Sequence, residues 1–203
     1  MTFKVIAVDT LILYFEQLIS EKNLDEVQSV YHALKGVNGI IDLTPSYCSV
    51  LVQFDIFSHD HESIKNIIKQ KLLEEKKLQI KQESRVIKIP TDYEKNLDLK
   101  RVADHNGLTV EEVITLHSEM SYRVYAIGFM VGFAYLAVVN PKINTPRLGS
   151  PRKKVPKGSV ALADNQTAIY PQNSSGGWNI MGHTEFTDFH TFEVGDRVQF
   201  ERV

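Results

Sequence analysis

The chain has 203 residues, 43% of them apolar, which suffices for one or two packed cores and excludes a disordered polypeptide. Its 23 Lys and Arg stand against 25 Asp and Glu, a formal charge of −2, so no general cationic field favours nucleic acid. The single cysteine, Cys48, cannot close an intrachain disulfide, and no apolar run approaches the roughly 20 residues that span a bilayer. A cytoplasmic protein is the expectation.

The opening segment, MTFKVIAVDTLILYFEQ, lacks the basic region and small-residue cleavage site of an export signal and reads as two short strands around Asp9. Leu24, Val27, Val30, Tyr31 and Leu34 then recur at three- and four-residue steps, the spacing of one helix face, and Gly36 follows as a stop. In YCSVLVQF, Cys48, Val50, Val52 and Phe54 share one side of a strand. Tyr47, Ser49, Leu51 and Gln53 share the other, and a strand partly apolar on both faces belongs at the centre of a sheet. Ile64, Ile67, Ile68, Leu72 and Leu73 make a second helical stripe, after which KKLQIKQES turns polar. Strands with two intervening helices predict a small α+β sandwich with the helices on one sheet face.

The texture changes near residues 80 to 90, which divides the chain into an N-terminal domain, 1–83, and a C-terminal domain, 84–203. RVIKIP reads as a strand stopped by Pro90, and DLKRVADHNG as a short helix ending at Gly107. Thr109 with Glu112 three residues on is a capping box, so a helix starts there with Val110, Val113, Ile114 and His117 on its apolar face. SYRVYAIG, SVALA, TAIY, WNIMG and RVQFER are β-type runs separated by Gly, Pro and Asn, the pattern of a barrel or sandwich.

No phosphate loop, dinucleotide fingerprint, HExxH or CxxC is present, and the pair His59 and His61 has no further cluster to complete a metal site; no metal centre is expected. Unusual residues concentrate between 128 and 184. Pro146-Arg147 and Pro151-Arg152 each place a guanidinium after a residue of fixed φ, which suits bidentate binding of a carboxylate or phosphate. Lys153, Lys154 and Lys157 add charge or form a solvated basic loop. Gly176-Gly177-Trp178 offers unhindered amides beside an aromatic face, the lining of a ligand cavity or equally a turn before a core tryptophan. Gly128 and Gly132 are expected at tight turns, with Phe129 and Phe133 filling the barrel.

Taken in order, HSEMSYRV, GFMVGFAYL, TPRLGSPRKKVPKGSVALA, NQTAIYP and SSGGWNIMGHT resemble the family known as allophanate hydrolase subunit 1. The sequence departs from that family's pattern at Val131, Ala134 and Ser175, where Pro is frequent, at Asp164 and Ala168, where Gly is usual, and at His183, where Arg is usual. The resemblance implies an α+β fold, an N-terminal ferredoxin-like α/β sandwich followed by a cyclophilin-like β-barrel. It implies the role of the B subunit in an ATP-dependent 5-oxoprolinase that opens 5-oxoproline to glutamate, using ATP with Mg2+. The implied partners are the A and C subunits of that enzyme, the latter like allophanate hydrolase subunit 2. On this resemblance Arg147 and Arg152 neutralise phosphate or the substrate carboxylate, and His117 and Tyr122 act as acid/base or orienting groups. Gln166, Tyr170 and Trp178, with Gly176 and Gly177, shape the pocket. For His117 the core position on its helix is also that of a hydrogen-bonded structural histidine. Two other roles known in the family stay open: inhibition of a sensor histidine kinase, and membership of a urea- or allophanate-processing complex.

Overall fold

The computed structural model describes residues 1–78 and 84–203, and the described residues form two compact units, Met1–Glu83 and Ser84–Val203. In the first unit the hairpin of β1 (Thr2–Ala7) and β2 (Thr10–Tyr14) turns at Val8 and Asp9, where the Asp9 carboxylate accepts from Thr10 and Gln53. Helix α1 (Glu21–Leu34) follows, then β3 (Ile40–Ser46), β4 (Ser49–Phe54) and α2 (His61–Leu78). The sheet is antiparallel with order β1-β2-β4-β3, so β4 lies between the two strands that α1 connects. Val50, Val52 and Phe54 of β4 meet Val27, Val30 and Leu34 of α1 and Ile64 and Ile68 of α2 in one core. Ser20 caps α1 by accepting from the Asn23 amide.

The helical stripes hold with two adjustments. Tyr31 is half-buried, and Leu73, expected inside, is 63% exposed at the end of its stripe. The polar stretch KKLQIKQES continues α2 as far as Leu78, and its residues 79–83 lie outside the described residues.

The second unit is a seven-stranded sheet of order β12-β9-β10-β7-β6-β13-β5. It is built from β5 (Val86–Thr91), β6 (Ser121–Ile127), β7 (Ala134–Ala137), β9 (Ser159–Ala163), β10 (Gln166–Ile169), β12 (Asn179–His183) and β13 (Arg197–Arg202). Its edges meet: Asp92, just past β5, exchanges backbone hydrogen bonds of 2.8 and 2.9 Å with His183, which nearly closes the sheet into a barrel. Gly182 makes that closure possible, because a Cβ there would lie 2.8 Å from the Asp92 carbonyl oxygen. Pro90 does not stop β5 as expected. The strand runs on to Thr91 because it pairs only with β13, so a missing N–H on its open side costs nothing.

Helices α3 (Leu99–Asn106) and α4 (Val110–Ser118) pack Leu99, Val102, Ala103, Val113 and Ile114 into a core with Val160, Leu162, Ile169 and Met181 of the sheet. Gly107 ends α3 at φ 66, and Thr109 and Glu112 make the capping box expected of them. SVALA is buried at every position because β9 packs on both faces. Val160 and Leu162 face that core, whereas Ala161 and Ala163 face a second cluster containing Phe133, Ala168, Tyr170, Trp178 and Ile180. Val155, from the two-stranded ribbon of β8 (Arg152–Val155) and β11 (Ser174–Gly176), completes it. Asp164 takes the left-handed φ of 50 where the family usually has Gly, a conformation that Asp tolerates. Of the two phenylalanines expected in the barrel, Phe133 is buried, but Phe129 has φ 68 and is 63% exposed.

Candidate functional site

The small side chains of Ala161, Ala163 and Ala168 leave room on their face of the sheet for large rings. Phe133 occupies the middle, edge-on to Tyr135 at 4.9 Å, Tyr170 at 5.3 Å and Trp178 at 5.8 Å, and Tyr135 lies 6.0 Å from Trp178. Rings in such T-shaped contacts fix one another, so the phenol groups of Tyr135 and Tyr170 are carried on a rigid base. Burial raises the pKa of both phenols, against the opposing pull of the Arg147 guanidinium, which acts on both.

Arg147 is exposed, and no carboxylate pairs with it among the described residues. The loop that carries it is nevertheless fastened. The Pro146 carbonyl accepts from Asn179 Nδ2 at 3.2 Å and from Arg101 at 3.3 Å, and the Leu148 amide donates to the Gly177 carbonyl at 2.7 Å. Arg101 also donates to Asn179 Oδ1, which holds Asn179 in place. The result is an available cation on a pinned backbone beside the Gly176-Gly177 turn.

The two glycines differ. A Cβ on Gly176 would fall 2.2 Å from the Tyr170 hydroxyl, whereas on Gly177 the nearest atoms are 3.8 Å away, Arg147 Nε and Nη2 among them. Gly176→Ala is therefore expected to push Tyr170 aside at a cost of about 1–3 kcal/mol. Gly177→Ala should be neutral to within about 0.5 kcal/mol. Chemical denaturation of the two variants separates these outcomes, and equal stability would show that the Tyr170 hydroxyl gives way freely.

Arg152 is not the twin of Arg147. Its Nη2 donates to Asp98 Oδ1 at 2.7 Å, and Asp98, only 5% exposed, also accepts from the Ile180 amide at 2.6 Å through Oδ2. Asp98 sits at the start of α3 but does not cap it, because its carboxylate is committed to these two donors. The guanidinium expected to meet an anionic ligand is thus held in an ion pair with Asp98.

His117 and Tyr122 lie elsewhere, in the core of the unit. His117 is fully buried; Thr167 gives its own hydroxyl proton to the Ala161 carbonyl at 2.9 Å, so His117 Nε2–H donates to Thr167 Oγ1 at 2.9 Å. His117 Nδ1 accepts from the Tyr93 hydroxyl at 2.7 Å, and burial lowers the imidazole pKa to about 3. Tyr122 donates to the His117 carbonyl at 2.8 Å. Both side chains, expected as acid/base or orienting groups, are engaged in this core network. Gln166 is half-buried at the start of β10, paired with Ala137 and Ala163. His183, where the family usually has Arg, sits beside Gly158 with Nε2 3.1 Å from the Lys157 carbonyl. Tyr135 is not among the residues that the motifs single out, although its place in GFMVGFAYL beside Phe133 is a usable signal.

Comparison with known proteins agrees with these features. The family model described as carboxyltransferase domain, subdomain C and D, matches residues 1–195. The chain is 34% identical over 204 residues to the 5-oxoprolinase B subunit of Bacillus subtilis (strain 168), covering 88% of this chain and 85% of that protein. Over 127 residues it is 41% identical to the 5-oxoprolinase B subunit of Haemophilus influenzae, 58% of this chain and 60% of that one. Among solved structures, TTHA0988 superposes with a TM-score of 0.84 at 32% identity, over 97% of this chain but 40% of that one. The K. lactis urea amidolyase superposes with a TM-score of 0.75 at 17% identity, over 99% of this chain and 15% of its own, a likeness of fold alone. With a family model matched along nearly its whole length, the chain belongs to the carboxyltransferase-domain family, subdomains C and D.

Proposed function

We propose that this chain is the B subunit of a 5-oxoprolinase, and that it supplies a substrate-binding surface to an assembly with the A and C subunits. The observation that carries this reading is the 34% identity to a 5-oxoprolinase B subunit over most of both chains. Its span of only 40% of TTHA0988 and 15% of the urea amidolyase supports a module that works joined to others. The first unit is read as a rearranged ferredoxin-like sandwich in which the strand that usually comes last comes first, and the second as a cyclophilin-like barrel.

A lactam is a poor electrophile, and ATP supplies the phosphoryl group that turns its oxygen into a leaving group. Within this reading Arg147 binds the anionic end of the substrate, Tyr135 and Tyr170 orient it, and Trp178 forms an apolar wall that excludes water. Mg2+ does not fit this surface: no group of three or more His, Cys, Asp or Glu gathers among the described residues, and Asp98 is committed to Arg152. ATP with its metal is therefore assigned to the partner subunits, and its use places the assembly in the cytoplasm. Purified alone, the chain is expected to form no glutamate from 5-oxoproline and ATP, and adding the A and C subunits should restore turnover. An inactive assembly, or full turnover by the lone chain, would refute the reading.

A further inference from the structure

Between Glu119 and Glu185 the chain carries seven Lys and Arg and a single acid, Asp164, so the rest of a chain of formal charge −2 holds −8. Two of the seven are already engaged: Arg123 is buried, and Arg152 is paired with Asp98 at 2.7 Å. Lys153, Lys154 and Lys157 are exposed, and no carboxylate pairs with them among the described residues. The backbone that carries them is fixed on both sides. Val155 is fully buried in the aromatic cluster, and the Lys157 amide donates to Asn173 Oδ1 at 2.9 Å. A charged surface on a fixed backbone loses little freedom when it is bound. Among the described residues β8 pairs with β11 alone, Val155 opposite Ser174 and Arg152 opposite Gly176, so its other edge is open. Successive side chains of a strand point to opposite faces, so Lys153 and Lys154 flank that edge rather than converge on one small anion. Lysines on an open edge repel a second copy of the same edge, and the same charges select an acidic strand.

We propose that the open edge of β8 is the docking site for an acidic, extended segment of a partner subunit, which adds to the ribbon as a third strand and sets its carboxylates against Lys153, Lys154 and Lys157. That the segment belongs to another subunit rests on the 5-oxoprolinase reading. It accords with the match to only 40% of TTHA0988, where the like module is joined to a larger remainder. Backbone pairing along the edge supplies register, and the lysines supply selection and a contact that salt weakens.

Binding of the full chain to the A and C subunits is measured by biolayer interferometry at about 50 and about 300 mM NaCl, with hydrogen exchange on any complex formed. One subunit should bind, about tenfold more weakly at the higher salt, and the amides of residues 153–155 should exchange more slowly in the complex. Lys153→Gln, Lys154→Gln and Lys157→Gln together should weaken that binding about tenfold to a hundredfold and flatten its salt dependence, with an unchanged melting temperature. Four results overturn the proposal: undiminished binding by this triple variant, exchange at 153–155 that does not slow, slowing there by inorganic tripolyphosphate on the lone chain, or salt-sensitive self-association of the lone chain. The two readings fail separately. An inactive assembly held together through β8 sinks only the 5-oxoprolinase reading. An active assembly that the triple variant joins with full affinity sinks only the docking site, and a wild-type chain that binds neither subunit sinks both.

Discussion

Arg152→Ala is expected to lower the melting temperature of the chain by roughly 10 °C. The pair it breaks is asymmetric: the Arg152 side chain is 27% exposed and the Asp98 side chain 5%. Removing the partner of a buried charge costs about 3–5 kcal/mol, because the remaining charge has no water to turn to. Partial solvation of the arginine reduces that to about 2–3 kcal/mol, and about 3–6 °C per kcal/mol for a unit of this size gives the figure stated. Asp98 would keep only the Ile180 amide as a donor. The double variant Asp98→Asn with Arg152→Gln removes both charges and retains hydrogen-bonding groups, so it should recover about half of the loss. Thermal unfolding of the three proteins decides the matter. An unchanged melting temperature for Arg152→Ala, joined to lost ligand binding, would return Arg152 to the binding surface.

This pair also marks where the sequence stops being readable. Local grammar is sufficient wherever the determining partner lies within a few residues: the capping box at Thr109 and Glu112, the helix end at Gly107 and the hairpin around Asp9. Pro146-Arg147 and Pro151-Arg152 look alike locally, and what separates them is Asp98, 54 residues before Arg152. His117 was legible as inward-pointing from its helix face. Its partners, Tyr93 and Thr167, are 24 and 50 residues away, so whether it was a reactive or a bonded histidine was not. Pro90 looked like a stop because strand position, central or edge, is a property of the sheet rather than of the run. Apolarity alone puts Phe129 in the core, but its left-handed backbone and exposure are fixed by the turn it occupies.

Acid is expected to destabilise the chain through His117 in a window set by its two pKa values. Unfolded, the imidazole titrates near its ordinary value of 6.5; folded, burial holds it at about 3. Between those limits the unfolded chain binds a proton that the folded chain refuses, so stability falls as pH falls from about 6.5 towards 3. Above 6.5 the contribution is fully present. Taken over the whole window the loss is at most about 5 kcal/mol, and by pH 4 roughly 3 kcal/mol. Carboxylates also titrate there, so the measurement is a difference. His117→Gln keeps groups that can accept from Tyr93 and donate to Thr167 but cannot protonate, and urea midpoints of both proteins are compared from pH 8 to 4. The variant should be less stable at neutral pH by about 1–3 kcal/mol, and the gap should narrow steadily below pH 6.5. Parallel curves would mean that the ring takes up its proton without unfolding the barrel. Since Nδ1 and Nε2 are both bonded inside the core, the pH dependence of catalysis in the assembled enzyme should keep its shape in this variant. Loss of one limb of that profile would restore His117 to the chemistry.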